Sequence, residues 1–322
     1  MLTTSFTRLV GCTAPIQLAG MPMIASPELA AAVSNAGGLG MVGGARLTPD
    51  ALGQLLDSVA KLTARPFGVN FIMHFHHDPA CVEVAAAKAK VVEFFYATPR
   101  ADLVALAHQG RALVSWQVGS RDEAVAAEQA GCDFIVAQGI EAGGHVRGKI
   151  GLLPLLGEVL DAVKCPVLAA GGIGTPRALA AVLAAGAAGA RLGTRFVAAA
   201  ESGAHPRYVE SLLSASAADT IHTEAFSVMW PDAPHRVLKS CIKAAEELDD
   251  EIAGHLTLFG QTIPLLRFAV PAPSRATTGH IEAMAMYAGE SVGAVTKIQS
   301  ASEIIEELID GAEARLKSCS RS

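Results

Sequence analysis

Short apolar runs alternate with alanine-rich helical stretches from residue 15 to about residue 200. This alternation is typical of a parallel β-sheet whose strands are connected by helices on the outside. Eight such units in one chain favour an α/β fold of the (β/α)8 TIM-barrel class, although a doubly wound sheet, usually with fewer strands, fits the same alternation. The predicted strands are 15–19, 39–43, 67–71, 91–96, 112–118, 134–138, 167–171 and 190–196.

Helix boundaries in the sequence agree with this architecture. Ser26 can cap a helix over 26–36, with Pro27 at its first helical position. A second clear helix is predicted over 121–130. Glycine follows three predicted helices, at the position where the backbone commonly takes the left-handed conformation. These glycines are Gly37, Gly131 and Gly186.

The sequence changes character after residue 196. The loop text MWPDAPHR and the charged segment LKSCIKAAEELDDEIAGHL predict a small helical subdomain inserted over the mouth of the barrel. From 276 to 317 the pattern is helical again, and SEIIEELIDGAEARLKS has the apolar spacing of a final barrel helix. We therefore expect a barrel formed by 1–202 and 276–322, and a substrate-capping subdomain at 203–275.

Composition limits the partners and the location. A chain of 322 residues, 51% of them hydrophobic, can bury a large core. A formal net charge of −6 disfavours nucleic acid and anionic membrane as partners, because both require a basic face. The six cysteines form no CxxC pair, which indicates neither zinc nor a disulfide framework and favours a cytoplasmic setting. The N-terminus MLTTSFTRLV does not look like a signal peptide, and the apolar run 178–190 is too short to span a bilayer.

The motif QGIEAGGHVRG carries the strongest candidate for catalysis. An apolar strand stops at flexible glycines, and the imidazole of His145 follows directly. Histidine is suited to acid or base chemistry because its pKa lies near physiological pH. The alternative interpretation is a buried loop histidine without a chemical role.

Two glycine clusters, AGGIG and LGTRF, follow the seventh and eighth predicted strands. In a TIM barrel the loops at these places often bind a phosphate through backbone N–H groups. Gly171, Gly172 and Gly193 allow a ligand to approach the backbone, and Thr194 adds a hydroxyl group. The alternative is that these glycines serve turn geometry alone.

Three other patterns are weaker. Gly38, Gly40 and Gly43 match GxGxxG but lie inside a predicted strand, without the acidic residue that a dinucleotide site needs. The GxxxxGK match that begins at Gly143 has Ile150 where a P-loop has Ser or Thr. The histidines of MHFHHDP lack a carboxylate at a known ligand spacing, so no metal site is expected. They are His74, His76 and His77.

The chain resembles the nitronate monooxygenases, formerly called 2-nitropropane dioxygenases, in the motifs PIQLAGMPMIASPELAAAVSNAGGLG, PFGVNF, QGIEAGGHVRG, PVLAAGGIG, LGTRF and ESGAHPRY. The likeness covers nearly the whole chain and includes WPDAPHRVL and MYAGESVG. Members of that family are FMN-dependent TIM barrels. Several motifs, including the one with His145, look equally like the flavin-dependent enoyl-acyl-carrier-protein reductases.

The resemblance implies a set of FMN-binding residues and a role for His145 as the active-site acid or base. Some relatives carry a lysine near Gln117 and an aspartate near Gln138. Glutamines at both positions remove charge near the flavin, which argues against the NAD(P)H-using quinone reductase branch. The implied FMN-binding residues are Gly20, Met21, Asn70, Gln117, Gln138, Gly143, Gly144, Gly171, Gly172, Gly193 and Thr194.

The reaction expected from the resemblance is oxidation of an alkyl nitronate by dioxygen to a carbonyl compound and nitrite. The alternative is transfer of hydride from NAD(P)H through FMN to an enoyl thioester or a quinone. A third hypothesis is a phosphate-binding barrel without redox activity. The partners expected are a small-molecule substrate and dioxygen, and a homodimer is compatible with a sequence that leaves the oligomeric state open.

Overall fold

The structure is a computed structural model that describes residues 2–75, 78–258 and 260–319. In chain order its first elements are α1 (Ser5–Val10), β1 (Ile16–Leu18), α2 (Pro27–Asn35), β2 (Gly40–Gly43), α3 (Pro49–Leu62), β3 (Phe67–Ile72), α4 (Pro79–Lys88), β4 (Val91–Phe95), α5 (Ala101–Gln109), β5 (Leu113–Val118), α6 (Arg121–Gln129), β6 (Phe134–Gln138), β7 (Gly144–His145), α7 (Leu152–Ala162), β8 (Val167–Ala170), α8 (Pro176–Ala184), β9 (Gly189–Leu192) and α9 (Thr194–Val197). The later elements are α10 (Pro206–Leu213), β10 (Thr220–Thr223), β11 (His235–Leu238), α11 (Lys239–Glu247), β12 (Ile252–Leu258), β13 (Gln261–Leu266), β14 (Thr277–Gly279) and α12 (Ala301–Cys319).

Eight parallel strands form the barrel in the order β1, β9, β8, β6, β5, β4, β3, β2. The sheet closes between its first and last strands through a parallel bridge. Leu18 N–H donates to the Leu39 carbonyl at 2.9 Å, and Leu39 N–H donates to the Ile16 carbonyl at 2.8 Å. The predicted (β/α)8 class is confirmed, and each predicted strand corresponds to a strand of the barrel.

The predicted helix boundaries at α2 are also confirmed. The Ser26 side chain accepts a hydrogen bond from Leu29 N–H at 3.2 Å, and Pro27 occupies the first turn. The glycines expected after helices take positive φ values, which residues with a Cβ rarely adopt. These values are 94° at Gly37, 96° at Gly131 and 108° at Gly186.

The eighth predicted strand extends too far. In the structure the corresponding strand, β9, ends at Leu192, and α9 begins at Thr194, whereas the predicted strand continues to Phe196. Phe196 N–H donates back to the Gly193 carbonyl at 2.8 Å, which closes the turn. A short buried apolar run has no periodicity that separates a strand from a helix, so the sequence pattern could not find this end.

The region 203–275 contains the expected helices, α10 and α11, together with strands that the sequence analysis did not predict. β10, β11 and β7 form one antiparallel sheet, and β13, β12 and β14 form a second. The helix predicted through residue 256 ends at Glu247, and 252–256 lies in β12. Gly254 allows close strand pairing there, because a Cβ at this position would lie 2.0 Å from the Thr278 carbonyl oxygen.

The segment before α12 differs from its helical prediction as well. It contains β14 and two short 3-10 turns, Ile281–Ala283 and Glu290–Ala294. Within 276–317 the only α-helix is α12. It packs against α8 and α2 and completes the outer layer of helices.

Buried apolar residues form two clusters. One fills the space between the barrel strands and the surrounding helices. The other lies under the inserted region and includes residues from both sides of position 275, such as Leu256 and Met286. The proposed boundary between barrel and subdomain therefore stays a prediction. In the part of the chain that the structure describes, no helix is long and apolar enough to cross a membrane.

A charged network crosses the lumen of the barrel below its mouth. The Glu93 carboxylate on β4 is fully buried, and the Arg191 guanidinium reaches it at 2.5 Å from β9 on the opposite side of the barrel. Gln17 and Asn70 donate to the same carboxylate at 3.0 and 2.9 Å. Ser115 donates at 3.3 Å. A buried charge requires such partners, because desolvation without them is costly.

Replacing Glu93 with Ala should lower the free energy of unfolding by about 3–5 kcal/mol, because it leaves Arg191 buried without its counter-ion. Urea denaturation followed by circular dichroism measures the change. The matched control is Glu83→Ala on the exposed face of α4, which should stay within about 0.5 kcal/mol of the unaltered protein. A loss below about 1 kcal/mol for Glu93→Ala would show that other lumen groups compensate for the carboxylate.

Candidate active site

Every predicted site residue lines one cavity of about 1040 Å³ at the carboxyl ends of the barrel strands. The cavity lies between the barrel mouth and the inserted region, where TIM-barrel enzymes have their active sites. The predicted residues that it brings together are Gly20, Met21, Asn70, Gln117, Gln138, Gly143, Gly144, His145, Gly171, Gly172, Gly193 and Thr194.

His145 lies on the short strand β7, which pairs antiparallel with β11. Gly144 turns the backbone into this strand with a φ of +78°, and a Cβ added there would meet nothing within 4 Å. The Gln138 amide donates to the His145 carbonyl at 3.0 Å. The loop before the strand is held by Arg236, which donates to the Ile140 carbonyl at 3.1 Å. The position of His145 is therefore fixed by both the barrel and the inserted region.

The imidazole of His145 is in contact with two aromatic side chains. The Trp230 ring stacks on it with a centroid distance of 3.8 Å and an angle of 28°. His145 Nε2 lies 3.4 Å from the Tyr287 hydroxyl, which donates its own proton to the Val270 carbonyl at 2.8 Å. Because that hydroxyl already donates to Val270, it can accept a hydrogen bond from Nε2–H of a neutral imidazole.

Nδ1 of His145 is buried, and it has no hydrogen-bond partner within the geometric limits among the described residues. Burial lowers the pKa of His145 from 6.5 to about 3, with a smaller contribution from His235. The imidazole is therefore neutral near physiological pH. It lines the cavity without a positive charge.

His235 has a structural role. Its side chain is fully buried beside His145, and Nδ1 lies 2.9 Å from the Ala233 carbonyl. Nε2 accepts from Phe226 N–H at 3.2 Å. Both ring nitrogens have partners, so His235 is held in place within the protein and does not line the cavity. Trp230, by contrast, lines the cavity directly.

The two glycine clusters form a concave backbone surface at one end of the cavity. Gly171 and Gly172 take φ values of +106° and +66°. A Cβ at Gly171 would lie 3.1 Å from both Ala142 N and the Gly139 carbonyl oxygen. Gly193 differs, since its φ is ordinary and the nearest side-chain atom, Ala19 Cβ, would lie 3.5 Å away.

Thr194 connects this surface to the C-terminal segment. Its hydroxyl oxygen accepts from Gly289 N–H at 2.9 Å, so its proton stays available to a ligand. Gly289 and Ser291, from the MYAGESVG motif, also line the cavity. Together these residues line this part of the cavity with glycine backbone and hydroxyl groups, and none of the described lining residues carries a carboxylate. An anion such as a phosphate is the ligand that this chemistry suits.

Sequence reasoning missed the charges of the site. Among the described residues that line the cavity, the charged side chains are Arg46 and Arg191, and no aspartate, glutamate or lysine is present. Arg191 also donates to the Gln117 side-chain oxygen. This part of the site therefore has a cation, Arg191, although no described lysine lines the cavity near Gln117. The only available signal was the strand alternation, which points the Arg191 side chain into the lumen.

The histidine-rich segment MHFHHDP forms no metal site in the described part of the chain. His76 and His77 lie outside the described residues. The ring of His74 stacks on the ring of Trp230, with the two centroids 4.8 Å apart. Within the described ranges no group of three or more His, Cys, Asp or Glu side chains is arranged to hold a metal ion.

A family model described as nitronate monooxygenase matches residues 3–80 and 79–311. The chain belongs to this family. The match extends from α1 into α12, so the barrel and the inserted region are both part of the family fold. The expected class of enzyme, a nitronate monooxygenase-like oxidoreductase, is confirmed.

Individual relatives differ in the reaction that their names describe. A (3aS,4S,5R,7aS)-5-hydroxy-7a-methyl-1-oxo-octahydro-1H-indene-4-carboxyl-CoA dehydrogenase of Rhodococcus jostii is 36% identical over 239 residues, which are 74% of this chain and 66% of that protein. The chain thus spans just under two thirds of that relative. The solved structure of a FabK mutant from Thermotoga maritima superposes with a TM-score of 0.84 and 32% identity over 99% of both chains. A nitroalkane oxidase from Streptomyces ansochromogenes gives a TM-score of 0.77 and 29% identity over 98% of this chain and 99% of that one.

The neutral state of His145 should make the protein sensitive to acid. The unfolded chain binds a proton at His145 below pH 6.5, whereas burial holds the folded pKa near 3, so stability is lost as the pH falls from about 6.5 towards 3. His145→Gln should reduce this loss, because glutamine does not titrate. Urea midpoints at about pH 7.5 and pH 5 measure it.

The control for this measurement is His255→Gln, a substitution at an exposed position on β12. It should leave the loss between the two pH values unchanged. If His145→Gln and the unaltered protein lose equal stability, His145 accepts a proton in the folded state as readily as in water. The description of a neutral imidazole would then be wrong.

Proposed function

We propose that the protein binds FMN in this cavity and oxidises alkyl nitronates with dioxygen to carbonyl compounds and nitrite. The observation that carries the proposal is the charge of the cavity. A neutral imidazole faces a largely apolar space whose charged lining groups, among the described residues, are Arg46 and Arg191. Such a cavity attracts a small organic anion, and a nitronate is one.

The residues present fit FMN. The glycine-lined surface at Gly171, Gly172 and Gly193 gives room for a phosphate, and Thr194 can donate a hydrogen bond to it. Gln138 Oε1 is buried and has no hydrogen-bond partner among the residues that the structure describes, so it can accept from a bound heterocycle. When bound, FMN supplies the electron transfer between substrate and dioxygen.

His145 is the proposed acid–base residue. Its imidazole can take the proton next to the nitro group of a nitroalkane, while Tyr287 and Trp230 hold the ring in place. A base whose pKa is about 3 is poorly matched to a carbon acid. The nitronate, which arrives already deprotonated, is therefore the better substrate. The apolar walls exclude water and so strengthen the attraction between the arginines and the anion.

In the FMN-loaded protein, His145→Asn should lower turnover of a neutral nitroalkane by about 100-fold or more, because asparagine cannot accept the proton. Turnover of the preformed nitronate should fall less, since it needs no deprotonation. Steady-state oxygen consumption with both substrates measures the two effects. Nitroalkane turnover close to that of the unaltered protein, with flavin retained, would refute the role of His145.

Gly193→Ala separates the needs of the ligand from those of the fold. The backbone at Gly193 has an ordinary φ, and a methyl group there has room within the protein, so thermal stability should stay nearly unchanged. We expect the methyl group to extend into the proposed phosphate site. We expect FMN affinity to fall by about tenfold or more, as for one lost or blocked hydrogen bond to a charged group. Fluorescence titration with FMN measures it.

Gly157→Ala on the exposed face of α7 is the control, because its Cβ would meet no atom of the described residues within 4 Å and would lie far from the proposed phosphate site. It should bind FMN like the unaltered protein. Equal FMN affinity in both variants would place the phosphate elsewhere. A colourless protein that takes up no FMN would overturn the proposed function and favour a phosphate-binding barrel without redox activity.

The second candidate function is reduction of enoyl thioesters or quinones by NAD(P)H. It is favoured by an apolar wall that the β12–β13 hairpin adds to the cavity and that suits an acyl chain. The wall is formed by Leu256, Leu258, Ile263 and Leu265. Anaerobic mixing separates the two candidates: rapid bleaching of the flavin by NADH or NADPH favours the reductase, and bleaching by a nitronate alone favours the monooxygenase.

A further inference from the structure

The buried pair Arg191–Glu93 has a fixed direction relative to the cavity. Arg191, Asn70 and Gln117 line the cavity, whereas Glu93 lies below it and is fully buried. The guanidinium therefore faces the space above, and the carboxylate lies 2.5 Å behind it. This places the positive end of the pair towards any ligand in the barrel mouth.

The side chains that form hydrogen bonds with this pair, among the described residues, carry no formal charge. Gln17, Asn70 and Ser115 donate to the Glu93 carboxylate, and the Gln117 oxygen accepts from Arg191. The other cation of the cavity, Arg46, is exposed at the rim, with its guanidinium 5.5 Å from the centre of the Phe75 ring. Arg191 is therefore the cation that acts on the floor of the cavity, at low exposure and with weak screening.

We propose that the Arg191–Glu93 pair sets the electron affinity of the bound flavin. The guanidinium stabilises the negative charge that the flavin gains when it accepts electrons, and the carboxylate behind it limits that stabilisation. The cation comes from β9 and not from the position of Gln117, where some relatives carry a lysine. The inference rests on the proposed binding of FMN.

Sulfite provides a probe that does not depend on turnover. The sulfur atom donates its lone pair to N5 of the oxidised flavin and forms an S–N bond, and the electron pair moves into the ring system as negative charge. A neighbouring cation therefore tightens sulfite binding. The dissociation constant is read from the loss of visible flavin absorbance, with each variant saturated with FMN beforehand.

The two halves of the pair should act in opposite directions. Glu93→Gln uncovers the cation and should tighten sulfite binding by about tenfold, whereas the double variant Glu93→Gln with Arg191→Met should weaken it by about tenfold relative to the unaltered protein. The double variant also avoids an unpaired buried charge, so it remains testable if the single one folds poorly. Glu93→Gln with Arg191→Lys should restore tight binding, because the cation returns.

Ser115→Ala is the matched control, since Ser115 contacts Glu93 but does not line the cavity. Its sulfite affinity should stay within about twofold of the unaltered protein. A purely structural pair would give equal sulfite affinities in all FMN-loaded variants, and this result would overturn the inference. Failure of the unaltered protein to bind FMN is a different outcome, because it removes the proposed function itself.

Discussion

The barrel is organised around one buried carboxylate. Glu93 has no contact with solvent, so each of its lone pairs must be satisfied by a group that reaches into the lumen. The donors come from β1, β3, β5 and β9, that is, from around the whole circumference. These hydrogen bonds depend on strand register, because a shift by one residue would point each side chain outwards. A single buried charge thus stabilises the closed sheet over other arrangements of the same strands.

The site above this network is built from backbone more than from side chains. Glycines after β1, β6, β8 and β9 let the loops approach one another and leave a concave surface, while the charged groups stay below it or at its rim. The inserted region then supplies what the barrel lacks. Trp230 covers one face of His145, and β11 pairs with the strand that carries it. The imidazole is neutral because both parts of the chain exclude water from it.

The parts of the fold that local sequence determines could be predicted. Strand alternation, the Ser26 cap and the glycines after helices depend on near neighbours, and His145 was found because it follows a strand end. The contact between Arg191 and Glu93 joins strands that are distant in sequence, and no local pattern contains it. For the same reason the glutamine at position 117 was interpreted as a loss of charge. The β12–β13 hairpin was missed because its first residues continue a helical pattern of charges.

The stacking of Trp230 on both His74 and His145 makes its fluorescence sensitive to contacts at the site. The chain has only two tryptophans. Trp116 is buried within β5, where its indole N–H donates to the Ala97 carbonyl at 3.0 Å, and so its emission depends on the barrel. Trp230 belongs to the inserted region and stacks on two imidazoles, those of His74 and His145. The two tryptophans therefore report on different parts of the molecule: Trp116 on the barrel, and Trp230 on the contact between the inserted region and the barrel mouth.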